Sequence, residues 1–462
     1  MGFNRMNNAD IETLRSFVDP DRFSAGDSIL DLHSIDQSRH TPVRPEAVIW
    51  PLHESEVVNI LKYANKRLIP VTGWGAGSSL EGNPVPVKKG IVLDFSRMDR
   101  IIDIREEDFQ ADVEPGVIYK KLNKKLRHKG LFFPPDPGAD ATIGGMIANN
   151  SSGIRTIKYG STRDNLLRLS VVLANGEIIR TGTRASKTSS GYDLKNLITG
   201  SEGTLGIVTR ATVRLTGIPA EFSSVIATFP SIDAAGKAVF EIIRSGLDPA
   251  ALELLGSECI RPINFERNMN LSESPTLFIE YHGPSGSYLE EVIEMTKELC
   301  MENKFNDFRS DMAREERDSF FSARHELSEM VTRKHPDCSF LSSDVAVPIT
   351  GYPDIISTTR NEIENNSLTA YIFSHAGDGN LHIKFAGKKG KKSEWELIEK
   401  VNDKIVSKAL SLEGTATGEH GVGIGKSRFM NDEHGNSLVW MKKIKDLFDP
   451  NGILNPGKIF PE

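Results

Sequence analysis

Two short segments near the C-terminal end of the chain, SHAGDGNLH and GEHG, carry residues whose types and spacing could do chemistry. They supply the histidines His375 and His382 and the carboxylate of Glu419. Two histidines with one carboxylate form a ligand set that catalytic divalent metals use in proteins. His420 is then left as a candidate general base. The alternative for either histidine taken alone is a polar residue beside a surface turn.

The spacing within the first segment predicts that one metal could reach both rings. Asp378-Gly379 is a strong signal for a two-residue type I′ hairpin turn, and apolar residues flank it on both sides. With that turn, His375 lies directly opposite His382. Directly opposed residues share one face of a sheet, with Cβ atoms about 5 Å apart.

The composition is that of a globular protein with an acidic balance. Of the 462 residues, 38% are hydrophobic and 26% are charged, and the net charge of −7 argues against a nucleic-acid partner. No apolar run approaches the roughly 20 residues that a membrane-spanning helix needs. Because the first ten residues show no basic and apolar signal pattern, we expect a cytoplasmic protein, with peripheral attachment to a membrane left open. Three widely spaced cysteines predict neither a disulfide framework nor a cysteine metal site.

Helical and extended patterns follow one another along the chain and predict an α+β fold in four parts. We divide the sequence into a lead-in at 1–41, a first domain at 42–217, a second domain at 218–413 and a C-terminal segment at 414–462. The strand–helix–strand order of the second domain predicts an antiparallel sheet with helices on one side.

Three glycine-rich loops of the first domain are suited to holding a phosphate-bearing ligand. Their sequences are GWGAGSSLEG, PDPGADATIGGMIANN and GSEGTLG. Glycines let backbone N–H groups turn toward an anion without a clash at Cβ. A Rossmann fingerprint fails because Ser78 replaces its third glycine, and a Walker motif fails because His420 replaces its leading glycine. The alternative for each loop alone is a tight connection between elements.

These motifs resemble those of a known flavoprotein family. PVTGWGAGSSLEG, PPDP, TIGG and GSEGTLG are similar to the FAD-binding domain of the vanillyl-alcohol-oxidase/para-cresol-methylhydroxylase (PCMH) superfamily. HAGDGNLH, TGEHGVG and NPGK resemble one branch of that family. The branch comprises the D-lactate dehydrogenase (cytochrome), glycolate oxidase subunit and D-2-hydroxyglutarate dehydrogenase types. The resemblance extends from about Pro42 to Phe460.

The resemblance implies a fold and a cofactor. The fold is a PCMH-type FAD-binding domain of two α+β subdomains, then a ferredoxin-like α+β substrate domain and a C-terminal helical segment that returns to the flavin. Noncovalent FAD is expected, since the first glycine loop has no histidine. The first loop and Gly144-Gly145 would surround the pyrophosphate, and Ile207 would face the adenine. The implied cofactor residues are Thr72, Gly73, Gly75, Gly77, Ser78, Ser79, Pro135, Gly138, Thr142, Gly144, Gly145, Asn149, Gly153, Glu202, Gly203, Ile207 and Asn455.

The resemblance also implies roles for the two C-terminal segments. His375, His382 and Glu419 match the family's divalent-metal ligands, and Zn, Mn and Fe are all compatible with this ligand set. His420 matches the catalytic base, which would take the hydroxyl proton of a 2-hydroxy acid while hydride passes to flavin N5.

Two further residues receive catalytic roles. Arg324 matches the family's carboxylate-binding arginine, a role that suits the fork of the guanidinium group. The alternative is an arginine on a helix surface, paired with Glu326 or Ser328. We also assign a catalytic role to Asn380, which lies within the metal motif.

The segment SSDVAVP bears on the substrate. The branch that acts on D-2-hydroxyglutarate carries a lysine just before this strand, whereas this chain has Ser342 and Ser343. The resemblance thus implies an FAD- and metal-dependent dehydrogenase of a small D-2-hydroxy acid, D-lactate first and glycolate second, with D-2-hydroxyglutarate as an alternative. A metal-independent flavin oxidase of alcohols or sugars is the competing enzyme class. A nucleotide- or metal-binding regulatory protein is the non-enzymatic alternative.

The sequence leaves the electron acceptor and the assembly open. A cytochrome, a quinone, an electron-transfer flavoprotein or an iron–sulfur subunit could accept the electrons. The chain contains no CxxCxxC motif for a cluster of its own. A homodimer is among the oligomeric states compatible with the sequence.

Overall fold

The computed structural model describes residues 2–310 and 314–461, and the chain divides into two compact units. The first unit comprises Met1–Ser152, Gly160–Ile218 and Glu419–Glu462, and the second comprises Gly153–Tyr159 and Pro219–Gly418. The lead-in, which the sequence predicts as a separate part, falls in the first unit, and the C-terminal segment joins that unit from Glu419 onward.

The two units mix helices and sheets, which confirms the predicted α+β class. The helices are α1 Asn8–Arg15, α2 Asp27–Leu32, α3 Glu54–Arg67, α4 Tyr119–Leu126, α5 Ile143–Asn149, α6 Thr156–Tyr159, α7 Leu194–Ile198, α8 Ile232–Arg244, α9 Ser257–Arg267, α10 Gly286–Glu302, α11 Arg314–Lys334, α12 Tyr352–Asn365, α13 Lys392–Ser411, α14 Met430–His434 and α15 Ser437–Phe448. The strands are β1 Phe23–Ser24, β2 Ala47–Ile49, β3 Val71–Trp74, β4 Ile91–Asp94, β5 Ile101–Arg105, β6 Gln110–Val113, β7 Leu131–Phe132, β8 Leu166–Val172, β9 Ile178–Gly182, β10 Ile207–Arg214, β11 Thr216–Gly217, β12 Glu221–Thr228, β13 Ala251–Leu255, β14 Thr276–Gly283, β15 Asp307–Arg309, β16 Cys338–Ala346, β17 Ala370–His375 and β18 Asn380–Lys388.

A small sheet of the first unit leads into the first glycine loop. Its strand order is β1-β2-β4-β3, with β2, β4 and β3 parallel and β1 antiparallel at the edge. Helix α3 connects β2 to β3 and buries Val57, Ile60, Leu61 and Ala64, which recur at helical spacing. This packing fixes β3, whose last residue, Trp74, lies within the loop sequence.

A second sheet of the first unit supports the other two glycine loops. Its order is β5-β6-β10-β8-β9, and all its pairs are antiparallel. Apolar residues of α4 and α5, among them Leu122 and Ile147, share one core with Val113 and Val171 of the sheet. Helix α5 begins within the second loop and β10 begins directly after the third, so the packed core fixes both loop ends.

The last segment of the chain pairs with a strand of the first unit. The N–H of Val71 donates to the carbonyl of Ile453, and the N–H of Asn455 donates to the carbonyl of Val71, both at 2.8 Å. The side-chain amide of Asn455 donates to the carbonyls of Asn83 (3.0 Å) and Glu202 (2.8 Å). Asn455, predicted as a cofactor residue, therefore joins the last segment to the residue that follows the first glycine loop and to Glu202 within the third.

The second unit is built on one seven-stranded antiparallel sheet. Its strand order is β15-β12-β14-β13-β17-β18-β16, which places β13 at the centre. Both neighbours of β13 pair with it in antiparallel register.

Helices cover both faces of this sheet, so the prediction of helices on one side is wrong. Tyr371 and Phe373 of β17 pack with apolar residues of α9 and α11. The next residue, Ser374, hydrogen-bonds Tyr352 of α12 at 2.6 Å. Successive strand residues point to opposite faces, so α12 lies on the other side. β17 is buried from its second residue to its last, and this continuous burial hides the alternation that would mark a one-sided sheet.

Among the described residues, none of the helices combines the length and the hydropathy that spanning a bilayer requires.

Asp10 is a buried carboxylate that fixes α1 against α3. It completes a capping box with Asn7 at the start of α1. The carboxylate also accepts hydrogen bonds from Tyr63 Oη (2.7 Å) and Arg67 Nε (2.8 Å) of α3. The hydrogen bond from Arg67 outweighs burial and lowers the pKa of Asp10 from 3.8 to about 2.

The substitution Asp10→Asn should lower the free energy of unfolding by about 1–2 kcal/mol near neutral pH, a value limited by the partial exposure of Arg67. The folded pKa lies below the unfolded value, so this stabilisation is present above about pH 4 and is lost as the pH falls toward 2. Urea denaturation of both proteins over a pH series measures the difference.

Asp27→Asn is the control, because the ion pair of Asp27 with Arg44 is exposed and should contribute little. A difference between wild type and Asp10→Asn that is equally large at every pH would contradict the assignment.

Candidate active site

The hairpin of β17 and β18 presents both predicted histidine ligands from the second unit. Residues 376–379 join the strands through a 3-10 turn at Ala376–Asp378 and then Gly379, whose φ is 78°. A Cβ at Gly379 would collide with the carbonyl oxygen of Val347. Glycine is therefore required both by the left-handed backbone and by the close approach.

The predicted two-residue type I′ turn is wrong, and the register differs from the predicted one. Asp378 belongs to the 3-10 turn and does not adopt the positive φ that a type I′ turn requires. His375 pairs with Asn380, and His382 pairs with Phe373. The shift of two residues keeps the strand alternation, so both histidines still share one face as diagonal neighbours. Their ring centroids lie 5.1 Å apart, with the ring planes at 90°.

A buried carboxylate that the sequence analysis did not assign, Glu253 of β13, contacts both His375 and Arg324. Its Oε1 lies 2.8 Å from Nδ1 of His375, and its Oε2 lies 2.8 Å from Nε of Arg324. Burial raises the pKa of Glu253, but the charges of His375 and Arg324 outweigh burial and leave that pKa below its ordinary value. The signal in the sequence was a single charged residue within the apolar strand ALELL.

Asp344 of β16 is a second buried carboxylate on this face, and it holds the predicted catalytic residue Asn380. Its Oδ1 accepts from Nδ2 of Asn380 (2.7 Å), and its Oδ2 accepts from Oγ1 of Thr417 (3.0 Å). Nδ1 of His382 lies 3.5 Å from the same Oδ1. Within the described part of the chain, Oδ1 of Asn380 has no hydrogen-bond partner. Asn380 therefore presents a buried acceptor on the strand that carries His382.

Arg324 lies on the sheet-facing side of α11, so the helix-surface alternative is wrong. Only 7% of the residue is exposed, and its Cζ lies 4.9 Å from the centroid of the Phe373 ring. Glu326 and Ser328, the alternative partners, instead contact Arg267 (2.5 Å) and a lysine of β18 (2.7 Å). Among the residues that the structure describes, Nη2 of Arg324 has no hydrogen-bond partner.

That lysine of β18, Lys384, is a second cation on the same face. It lies two residues beyond His382 and pairs with Ser342 of β16. Its Nζ donates to the carbonyl oxygen (2.7 Å) and the hydroxyl (2.7 Å) of Ser328, and to the hydroxyl of Thr332 (2.8 Å). Three acceptors match the three protons of an ammonium group, so Lys384 joins α11 to the sheet.

Glu419 and His420 begin the last segment of the first unit. Residues of the glycine loops form hydrogen bonds with the backbone of this segment. Nδ2 of Asn149 donates to the carbonyl of His420 at 3.2 Å. The N–H groups of the two residues after Gly421 donate to the buried carboxylate of Glu202, at 2.6 and 2.9 Å. Glu202, predicted as a cofactor residue, thus fixes the backbone that follows His420.

A cleft of the first unit is lined by residues of all three glycine loops. The predicted cofactor residues that line it are Gly73, Gly75, Thr142, Gly144, Gly145, Glu202, Gly203 and Ile207. The other predicted cofactor residues lie elsewhere: Thr72, Gly77, Ser78, Ser79, Pro135, Gly138, Asn149 and Asn455 belong to the first unit, and Gly153 belongs to the second.

The lining of this cleft fits a flat, phosphate-bearing cofactor. A Cβ at Gly75 would collide with Oγ1 of Thr142, and one at Gly144 would lie 2.6 Å from Cβ of Pro115. Glycine is therefore required at both positions, because Thr142 and Pro115 pack directly against the loop backbone that lines the cleft. The Thr142 hydroxyl accepts from the N–H of Gly145 at 3.2 Å and caps α5. Such a glycine-lined cradle suits the diphosphate and ring system of FAD.

Comparison with known proteins gives matches along nearly the whole chain. The model of the FAD binding domain matches residues 45–182, and that of the C-terminal domain of FAD linked oxidases matches residues 218–459. The probable D-lactate dehydrogenase, mitochondrial, of Danio rerio is 37% identical over 97% of this chain and 91% of its own length. D-lactate dehydrogenase (cytochrome), mitochondrial, of Arabidopsis thaliana is 38% identical over 90% of this chain and 74% of its own length. Glycolate oxidase subunit GlcD of Bacillus subtilis is 36% identical over 97% of this chain and 96% of its own length.

Solved structures share the fold at low sequence identity. p-Cresol methylhydroxylase with substrate bound has a TM-score of 0.81 at 15% identity, covering 98% of this chain and 96% of that one. 4-Ethylphenol oxidase from Gulosibacter chungangensis has a TM-score of 0.79 at 18% identity, covering 100% of this chain and 99% of that one. With an FAD binding domain, the C-terminal domain of FAD linked oxidases and relatives aligned over nearly its whole length, the chain belongs to the FAD-linked oxidases.

Proposed function

We propose that the chain is an FAD- and divalent-metal-dependent dehydrogenase that oxidises a small D-2-hydroxy acid, D-lactate first, to the 2-oxo acid. Relatives named D-lactate dehydrogenase, aligned over nearly the whole chain, support this class of substrate. The proposal rests mainly on one buried face of the second unit's sheet. There the rings of His375 and His382 lie close together, and Arg324 has an Nη2 atom without a hydrogen-bond partner among the described residues.

His375 and His382 would hold the metal, and Glu419 is the third proposed ligand. Glu253 engages Nδ1 of His375, so Nε2 of that ring would be the ligating atom, and Asp344 lies 3.5 Å from Nδ1 of His382. A carboxylate beside the second ring nitrogen is a common partner of metal-binding histidines, and this donor set fits Zn, Mn or Fe. When bound, the metal supplies a Lewis acid that polarises the substrate hydroxyl.

Arg324 binds the substrate carboxylate. Its guanidinium group is buried over the Phe373 ring, where a pairing with a carboxylate is not weakened by solvent. Asn380 presents Oδ1 as a buried acceptor without a hydrogen-bond partner among the described residues, which could receive a donor group of a bound ligand.

His420 acts as the general base in its neutral form. The substrate O–H and C2–H bonds break and a C=O bond forms, while the proton goes to His420 and the hydride leaves carbon 2 with both bonding electrons. Bound FAD supplies the acceptor for that hydride at its N5 position. Hydrogen bonds from Asn149 and to Glu202 fix the backbone on both sides of His420.

The partners of Lys384 favour a monocarboxylate. A dicarboxylate such as D-2-hydroxyglutarate would bring a second anionic group that needs a second cation. Lys384 is the cation across from Ser342, and its amine already has three acceptors on α11. Glycolate remains the second candidate, because a relative is named glycolate oxidase subunit.

The names of relatives also bear on the electron acceptor. One of them is named as a cytochrome-type D-lactate dehydrogenase, which favours a cytochrome over a quinone, an electron-transfer flavoprotein or an iron–sulfur subunit. The cytoplasmic location and the homodimer stay predictions from the sequence.

Anaerobic mixing of the FAD-loaded protein with candidate acids tests the proposed substrate. D-Lactate should bleach the flavin absorbance fastest, glycolate more slowly and D-2-hydroxyglutarate slowest, because only the dicarboxylate needs a second cation. The observed reduction rate at saturating acid is the measurement. Fastest reduction by the dicarboxylate would refute the argument from Lys384.

Replacing the proposed base, His420→Asn, should lower kcat by roughly 10²–10⁴-fold while the FAD and metal contents stay at wild-type values. Steady-state kinetics, flavin absorbance and metal analysis of the same sample measure these quantities. His128→Asn, an exposed histidine of the first unit, is the control and should retain full activity. Full activity of His420→Asn would remove that residue from the mechanism.

Removal of the metal separates this function from a metal-independent flavin oxidase. Dialysis against a chelator should abolish turnover of D-lactate and leave FAD bound, since the glycine-lined cleft contains no metal ligand set of its own among the described residues. Adding back Zn²⁺, Mn²⁺ or Fe²⁺ singly should restore turnover and identify the metal. Turnover that survives complete removal of metal would support the oxidase class instead.

A further inference from the structure

We propose that Glu253 is a positioning residue that orients His375 toward the metal and Arg324 toward the substrate through a single carboxylate. The inference rests on the proposed function and adds a residue to it. Glu253 would touch neither metal nor substrate, and would act through these two neighbours.

The position of Glu253 in the sheet suits it to this task. It lies on the central strand, β13, and is fully buried, with 0% of its surface exposed. In the register of the sheet it stands directly opposite His375 of β17. Directly opposed residues share one face, so the short side-chain contact follows from strand pairing rather than from a mobile loop.

Each oxygen of the carboxylate has a different partner. Oε1 lies 2.8 Å from Nδ1 of His375, which sets the ring tautomer with hydrogen on Nδ1 and the lone pair on Nε2. Oε2 lies 2.8 Å from Nε of Arg324. The ring of Phe373 supports the guanidinium group from one face. These contacts occupy Nε and one face of the group and leave the Nη2 edge for a carboxylate.

The buried charge makes the arrangement mutual. An ionised carboxylate in a sheet interior is strongly unfavourable without a cation and hydrogen-bond donors beside it, so the Arg324 guanidinium and the Nδ1–H of His375 stabilise Glu253, and Glu253 in turn fixes both groups. Loss of the negative charge would weaken the hydrogen bond that fixes the His375 tautomer and would leave Nε of Arg324 without its anionic partner.

The neighbouring strand offers a matched control. Glu280 of β14 is also buried, at 2% exposure, and it also joins a histidine, His282 (2.8 Å), to an arginine, Arg155 (3.1 Å). Glu253→Gln and Glu280→Gln therefore remove the same charge from the same kind of His–Glu–Arg cluster in one sheet. A merely structural role for Glu253 predicts similar effects of the two substitutions.

The test uses the full chain loaded with FAD and stripped of metal with a chelator. Zn²⁺ affinity is measured by competition with a chromophoric chelator, and KM and kcat for D-lactate are measured after metal is restored. Glu253→Gln should weaken Zn²⁺ binding by roughly 10–100-fold and raise KM by about 10-fold, with the FAD content unchanged. Glu280→Gln should bind Zn²⁺ and D-lactate like the wild type. Wild-type Zn²⁺ affinity in Glu253→Gln, or an equal loss in both variants, would overturn the proposal.

Glu253→Asp keeps the test decisive if the glutamine variant does not fold. The aspartate retains the charge but is one methylene shorter, so it should also weaken Zn²⁺ binding, and wild-type affinity would overturn the proposal. The Zn²⁺ titration needs no substrate. If the wild type does not oxidise D-lactate but Glu253→Gln still weakens Zn²⁺ binding, the proposed substrate is refuted and the role of Glu253 is supported. If the wild type and Glu253→Gln oxidise D-lactate equally well, the proposed substrate is supported and the role of Glu253 is refuted.

Discussion

The buried charge of Glu253 constrains how the second unit can be assembled. A carboxylate on the central strand of a seven-stranded sheet cannot be hydrated, so it requires a cationic partner and hydrogen-bond donors within contact distance. One partner, Arg324, comes from α11, and the other, His375, comes from the end of β17. Removing one partner of such a buried pair typically costs about 3–5 kcal/mol. The docking of α11 on the sheet and the placement of the histidine hairpin are thereby linked through one side chain.

A comparable link operates within the first unit. Glu202 contributes to the lining of the glycine-rich cleft and also accepts hydrogen bonds from the backbone that follows His420. Asn455 joins the last segment to the same region. The loops that suit FAD are therefore the loops that hold the proposed base. A change in this cleft should alter both cofactor binding and the position of His420.

Local signals in the sequence were sufficient to predict the α+β class and the glycine loops that line the cleft. They also predicted that His375 and His382 share one face of a sheet. The details that were wrong depend on contacts between distant residues. The hairpin turn is longer than two residues, and its Gly379 lies against the carbonyl of Val347, which the dipeptide signal does not include. The two-sided covering of the sheet was hidden because β17 is buried almost throughout.

Glu253 was missed for a related reason. Its strand, ALELL, reads as an ordinary apolar strand with one polar residue, and its partner His375 lies 122 residues away in the sequence. Arg324 was assigned from its family motif, but its burial and its contact with Glu253 came from the packing of α11. Motifs thus identified the groups that could react, whereas the groups that orient them are set by strand order and register.

The proposed function requires that hydride passes from carbon 2 of a 2-hydroxy acid to the bound flavin. The most direct measurement is the single-turnover rate of anaerobic flavin reduction with D-lactate and with D-lactate deuterated at carbon 2. Hydride transfer from carbon 2 predicts flavin reduction that is several-fold slower with deuterium at carbon 2 and unchanged with deuterium on the methyl group. Equal reduction rates for unlabelled D-lactate and for D-lactate deuterated at carbon 2, or no flavin reduction by D-lactate, would contradict hydride transfer from carbon 2.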